Sequence, residues 1–144
     1  MCGIIGIGEK NEKLIRQAAK VIGYRGPDAF GVFVDEQVTL GHNRLALIDL
    51  DPRANQPMFD ANDTLAIVYN GEIYNYKQVR EELEKLGYTF RTQSDTEVLL
   101  YAYKEWGKGL SERFNGMYAF ALYDKIKKQI VLRIRFCSKM NPCS

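Results

Sequence analysis

Hydrophobic positions along the chain fall into two rhythms. Residues Cys2 to Gly8, "CGIIGIG", form a short apolar run that predicts a buried strand. In "NEKLIRQAAKVIG", Leu14, Ile15, Ala18, Ala19 and Ile22 recur at 3.6-residue spacing, which predicts a helix ended by Gly23. "YRGPD" breaks the pattern, and three β-rich runs follow: "FGVFVD", "VTLGHN" and "RLALIDL". "DPRANQP" predicts a loop. "TLAIVYN", Thr64 to Asn70, predicts the clearest buried strand, and the "NGE" after it reads as a turn. "NYKQVREELEKLG" predicts a helix with Asn75 as N-cap, a stripe of Val79, Leu83 and Leu86, and Gly87 as terminator. "SDTEVLLYAYKEWG" predicts another, with Ser94 and Glu97 in capping-box spacing. "MYAFALYD" and "QIVLRI" predict two more strands. The order is strands, helix, strands, two helices, strands. It departs from a βαβ alternation and predicts an α+β fold with antiparallel sheets and outer helices.

Length and charge narrow the picture. At 144 residues the chain is one domain or most of one. The net charge of +2, from 20 basic and 18 acidic residues, is too mild to argue for a nucleic-acid or membrane-surface partner. No run reaches the roughly 18 apolar residues of a membrane helix, and the N-terminus lacks the pattern of an export signal. Three cysteines, an odd and sparse set, do not read as a disulfide framework and suit the reducing cytoplasm.

The chemistry concentrates in a few stretches. Cys2 follows the initiator methionine directly. Removal of Met1 frees an α-amine of pKa ~8 beside the thiol, a competent base for its own nucleophile. Taken alone, "MC" is more often coincidence. His42, the only histidine, is the rival base, although a lone histidine between strand runs is more often a core or surface residue. Arg44, at the head of "RLALID", can grip a carboxylate with its fork, against the plainer reading of a surface arginine. Asn70 and Gly71 offer a side-chain amide and a backbone N–H suited to an oxyanion, or an ordinary turn. Asp95 lies at a predicted helix start, where a carboxylate is favoured with or without a ligand ammonium to bind. Together they compose an amino-acid site: nucleophile, base, oxyanion donors, carboxylate clamp and ammonium partner.

"MCGIIG", "RGPD", "NRLALID", "NGEIYN", "SDTEV" and "GMYAFALYD", in this order, resemble the class II glutamine amidotransferase family, in particular the N-terminal glutaminase domain of glutamine-hydrolysing asparagine synthetases. The resemblance runs from Met1 to about Arg133, and residues 134–144 diverge from it. It implies an N-terminal nucleophile hydrolase, a four-layer αββα sandwich of antiparallel sheets, incomplete at its C-terminal end. It implies that Cys2 is the nucleophile and that Asn70 and Gly71 hold the oxyanion. It further implies that Arg44, with Leu45, Ala46, Leu47 and Ile48, holds the glutamine α-carboxylate, and that Gly71, Glu72 and Asp95 hold the α-amine. The substrate would be L-glutamine, giving glutamate and ammonia through a thioester without a cofactor. ATP and magnesium would belong to a synthetase domain absent from this chain, whose counterpart on a separate subunit could receive the ammonia. Tyr24 stands where the family usually has a histidine. An inactive truncated remnant, or a module that binds glutamine without turnover, are the alternatives.

Overall fold

The computed structural model describes residues 1–47 and 49–136. Among them, seven strands form two antiparallel sheets. One sheet holds β1 (Gly3–Ile7), β2 (Ala29–Val34) and β3 (Thr39–Arg44) in the order β1-β3-β2. The other holds β4 (Met58–Phe59), β5 (Leu65–Ile73), β6 (Gly116–Asp124) and β7 (Gln129–Arg135) in chain order. Helix α1 (Glu12–Val21) covers the first sheet. Helices α2 (Tyr76–Lys85) and α3 (Asp95–Trp106) cover the second. The sheets meet face to face across Val38, Leu40, Ala66, Val68 and Ala121. The result is the expected four-layer order of helix, sheet, sheet and helices. Among the described residues no helix is long and apolar enough to cross a membrane.

Helices α1 and α2 have 10 residues each, too short to be stable by propensity alone. They persist because one face of each is buried, Ile15 and Ala19 in α1, Val79 and Leu83 in α2. Asn11 caps α1 by accepting from the Leu14 N–H at 3.0 Å. Asn75 occupies the predicted cap position of α2, but its side chain turns away from the helix. Its amide donates to the Arg113 carbonyl and its oxygen accepts from the Asn115 N–H, which ties the helix start to the approach of β6. At α3, Ser94 caps the Thr96 N–H at 3.0 Å as expected. Glu97 does not complete a capping box. Its buried carboxylate accepts from the Arg91 and Thr92 N–H groups and the Thr92 hydroxyl, fixing the loop that delivers Asp95.

Two strand expectations need correction. Residues Leu45–Leu47 have no regular structure, so "RLALIDL" is not a third strand, and Ile48 lies outside the described residues. The "NGE" turn is also absent, because β5 continues through Asn70, Gly71 and Glu72 to Ile73, paired with β6 throughout. Gly71 makes that pairing possible. Its φ of 149° is strained for other residues, and a Cβ there would fall on the Met117 carbonyl and 2.7 Å from the Tyr118 Cβ.

His42 is also settled by packing. It sits on β3, 1% exposed, and its Nε2–H donates to the Tyr69 carbonyl on β5 at 3.2 Å, bridging the two sheets. Nδ1 is buried without a hydrogen-bond partner among the described residues. Burial, with a smaller opposing contribution from the Tyr69 carbonyl and a further depression by Arg44, lowers its pKa from 6.5 to about 4. A histidine kept neutral in the fold but free to charge in the unfolded chain stabilises the protein fully above pH 6.5. That contribution, about 3 kcal/mol, is lost as pH falls toward 4. Urea unfolding at pH 7 and pH 4.5 should show a larger acid loss in the wild type than in His42→Gln. Equal losses would mean that His42 does not carry the acid sensitivity.

Candidate active site

Most of the candidate side chains converge on one cleft. β1 brings Cys2 from the chain end, and the Arg25 Nε–H donates to the Cys2 carbonyl at 3.2 Å, pinning an address that would otherwise fray. The Leu45 N–H points at the Cys2 sulfur, 3.3 Å away. The Cys2 thiol in turn points toward the Leu45 carbonyl, 3.6 Å away. The "RGPD" loop sets Leu45 in place. The Asp28 N–H donates to the Arg44 carbonyl at 2.9 Å, and Asp28 Oδ2 accepts from the Ala46 N–H at 2.8 Å. Gly26 allows the loop to cross so closely, since a Cβ would strike the backbone at Asn43 and Arg44.

A cleft of about 320 Å³ opens between these groups and the end of β5. Cys2, Arg44, Asn70, Gly71, Glu72 and Asp95 line it, as do Leu45 and Leu47. Ala46 does not, its N–H being committed to Asp28. His42 does not reach the cleft wall either. A guanidinium, two carboxylates, a thiol and side-chain amides thus share one concavity, a charge pattern complementary to a zwitterion with a neutral side chain.

Two groups differ from their plain reading. Arg44 is a buried arginine, 7% exposed, and not a surface one. Its Nη1 donates to the Asp51 carbonyl at 3.1 Å and to Asn55 Oδ1 at 2.5 Å, and its Nη2 to the Asp49 carbonyl. These three bonds fold the 49–55 loop around the guanidinium and leave two of its five N–H donors for a ligand. Asp95 is 4% exposed and accepts the Tyr69 hydroxyl at 2.6 Å and the Ile73 N–H at 3.4 Å. Burial raises its pKa, and these hydrogen bonds oppose the rise. Sequence reasoning did not single out Arg25, Tyr69 or Gln56 as parts of the site. Gln56 lines the cleft, accepts the Tyr69 N–H at 2.6 Å and donates to Thr96 Oγ1 at 3.2 Å. Nothing local in "ANQP" signals that reach.

The model of the glutamine amidotransferase domain family matches residues 1–139. The chain belongs to that family. It is 44% identical over 133 residues to asparagine synthetase [glutamine-hydrolyzing] 1 of Bacillus subtilis, a match covering 87% of this chain and 21% of the relative. A putative asparagine synthetase of Methanocaldococcus jannaschii is 38% identical over 96% of this chain and 30% of its own length. This glutamine amidotransferase domain therefore spans about a quarter of the curated relatives it matches. Among solved structures, the glutamine phosphoribosylpyrophosphate amidotransferase of Bacillus subtilis superposes with a TM-score of 0.75. That match covers 93% of this chain and 37% of the other at 21% identity, a likeness of fold.

Proposed function

We propose that this domain hydrolyses L-glutamine to glutamate and ammonia, as the glutaminase part of an asparagine synthetase-type enzyme. The observation that carries the reading is the meeting of Cys2, from the chain's second position, with Arg44, Asn70, Gly71 and Asp95 in one cleft. In the proposed mechanism, loss of Met1 frees the Cys2 amine, which takes the thiol proton. The thiolate attacks the side-chain amide carbon, and the carbonyl oxygen becomes an oxyanion held by the Asn70 amide and the Gly71 N–H. The ammonium proton passes to the departing nitrogen, which leaves as ammonia, and a glutamyl thioester remains. Water, deprotonated by the same amine, then adds to the thioester and releases glutamate and the thiol. Arg44 receives the α-carboxylate, while Asp95 and Glu72 receive the α-ammonium.

None of these steps calls on a metal or nucleotide. ATP and magnesium belong to the acceptor half-reaction, which we assign to a synthetase domain or subunit receiving the ammonia. A free N-terminal thiol suits a reducing compartment, which supports a cytoplasmic setting.

The mechanism is tested at the chain end. With Met1 retained, the Cys2 nitrogen is an amide and cannot act as a base. A protein bearing one extra residue before Cys2 should release ammonia roughly a hundredfold more slowly than the processed form, the usual scale of a general base. Intact mass verifies the two N-termini. Equal rates would rule out the amine as base.

A further inference from the structure

We propose that Tyr69 is the positioning residue for ammonium recognition: its hydroxyl holds the Asp95 carboxylate toward the cleft and so selects ligands bearing an α-ammonium group. The inference rests on the reading of the cleft as a glutamine site.

Tyr69 is fixed at three points. Its N–H donates to Gln56 Oε1, its carbonyl accepts from His42 Nε2, and its hydroxyl donates to Asp95 Oδ2 at 2.6 Å. The ring is 3% exposed and packed in the core beneath α3. A side chain with no remaining freedom therefore sets where the Asp95 carboxylate stands. The Ile73 N–H adds a weaker bond at 3.4 Å to the same oxygen. Both of these bonds end on Oδ2, and the carboxylate lines the cleft. A buried carboxylate without donors is costly and tends to neutralise. Tyr69 counters that tendency, because burial and the neighbouring Asp95 push its own pKa far upward and keep the phenol protonated as a donor. Asp95 is thereby aimed before any ligand arrives, and preorganisation of this kind acts on affinity. Asn70 and Gly71 follow Tyr69 on the same strand, and successive side chains there face opposite ways, so the hydroxyl does not belong to the oxyanion donors.

The test is Tyr69→Phe, which keeps the ring and removes one oxygen. KM for glutamine should rise about tenfold while kcat stays within twofold. In an Asp95→Asn background the same change should alter KM less than twofold, since the partner is already gone. An unchanged KM, a fall in kcat instead of a rise in KM, or an equal effect in both backgrounds would overturn the assignment. So would a Tyr69→Phe chain that does not fold, which would make the hydroxyl structural. A wild-type protein that neither binds nor turns over glutamine would overturn the glutaminase reading and this inference with it. A wild type that hydrolyses glutamine with an indifferent Tyr69→Phe overturns the inference alone.

Discussion

Cys2→Ala should lower glutamine hydrolysis by at least about a thousandfold, because no other described group lining the cleft can form the thioester and nucleophile losses are of that size or larger. The substitution removes a single sulfur from a half-buried position, and the Leu45 N–H loses a weak acceptor. The fold should therefore persist, and glutamine affinity should stay within about threefold, since Arg44, Asp95 and the oxyanion donors remain. Ammonia release and calorimetric binding on the same preparation separate the two effects. A loss of less than tenfold would show that the thiol is not the nucleophile. His42 is no substitute, since its Nε2–H is committed to the Tyr69 carbonyl and its ring does not reach the cleft.

Arg44→Ala should have the second largest effect, by two routes. The guanidinium fork is proposed to bind the α-carboxylate, and loss of such a charge-assisted pair costs about 2–4 kcal/mol, a KM increase of at least about thirtyfold. The same side chain anchors the 49–55 loop through the Asp49 and Asp51 carbonyls and Asn55. Its removal should speed amide exchange at Ala54 and Asn55, whose N–H groups bond within that loop. Lysine should recover less than a tenth of the loss, because one ammonium cannot span the loop acceptors and a carboxylate together. Faster exchange with an unchanged KM would make Arg44 a loop anchor only. A raised KM with unchanged exchange would make it a ligand clamp only.

The loop anchoring marks the boundary of what one-dimensional reading delivers. The run "RLALID" has strand-like residues, and its composition is a fair guide to local preference. The tertiary setting wins because Arg44 recruits Asp49, Asp51 and Asn55, and Asp28 takes the Ala46 N–H that a strand partner would need. Likewise "SDTE" has capping-box spacing, but Ser94 caps the helix through the Thr96 N–H and the reciprocal pairing does not form. Glu97 is diverted because the Arg91 and Thr92 N–H groups lie within its reach and would otherwise be unsatisfied.

By itself the sequence determined whatever depends on neighbours within a few residues. Apolar spacing marks α1, α2, α3, β6 and β7, and the place of Cys2 after Met1 made it a candidate nucleophile only in company with the other motifs. Ordered motifs also carried the family and, with it, the sandwich. Only the tertiary structure decided the rest. Asn-Gly became strand and not turn because a second strand, more than 40 residues away, lies so close that no Cβ fits at Gly71. His42 became a bridge between sheets, and Tyr69 became the support of Asp95, through contacts 27 and 26 residues apart. Such roles are set by which buried polar groups find each other when the layers close. Desolvation makes each unpaired group costly only then, and no local pattern along the chain records it.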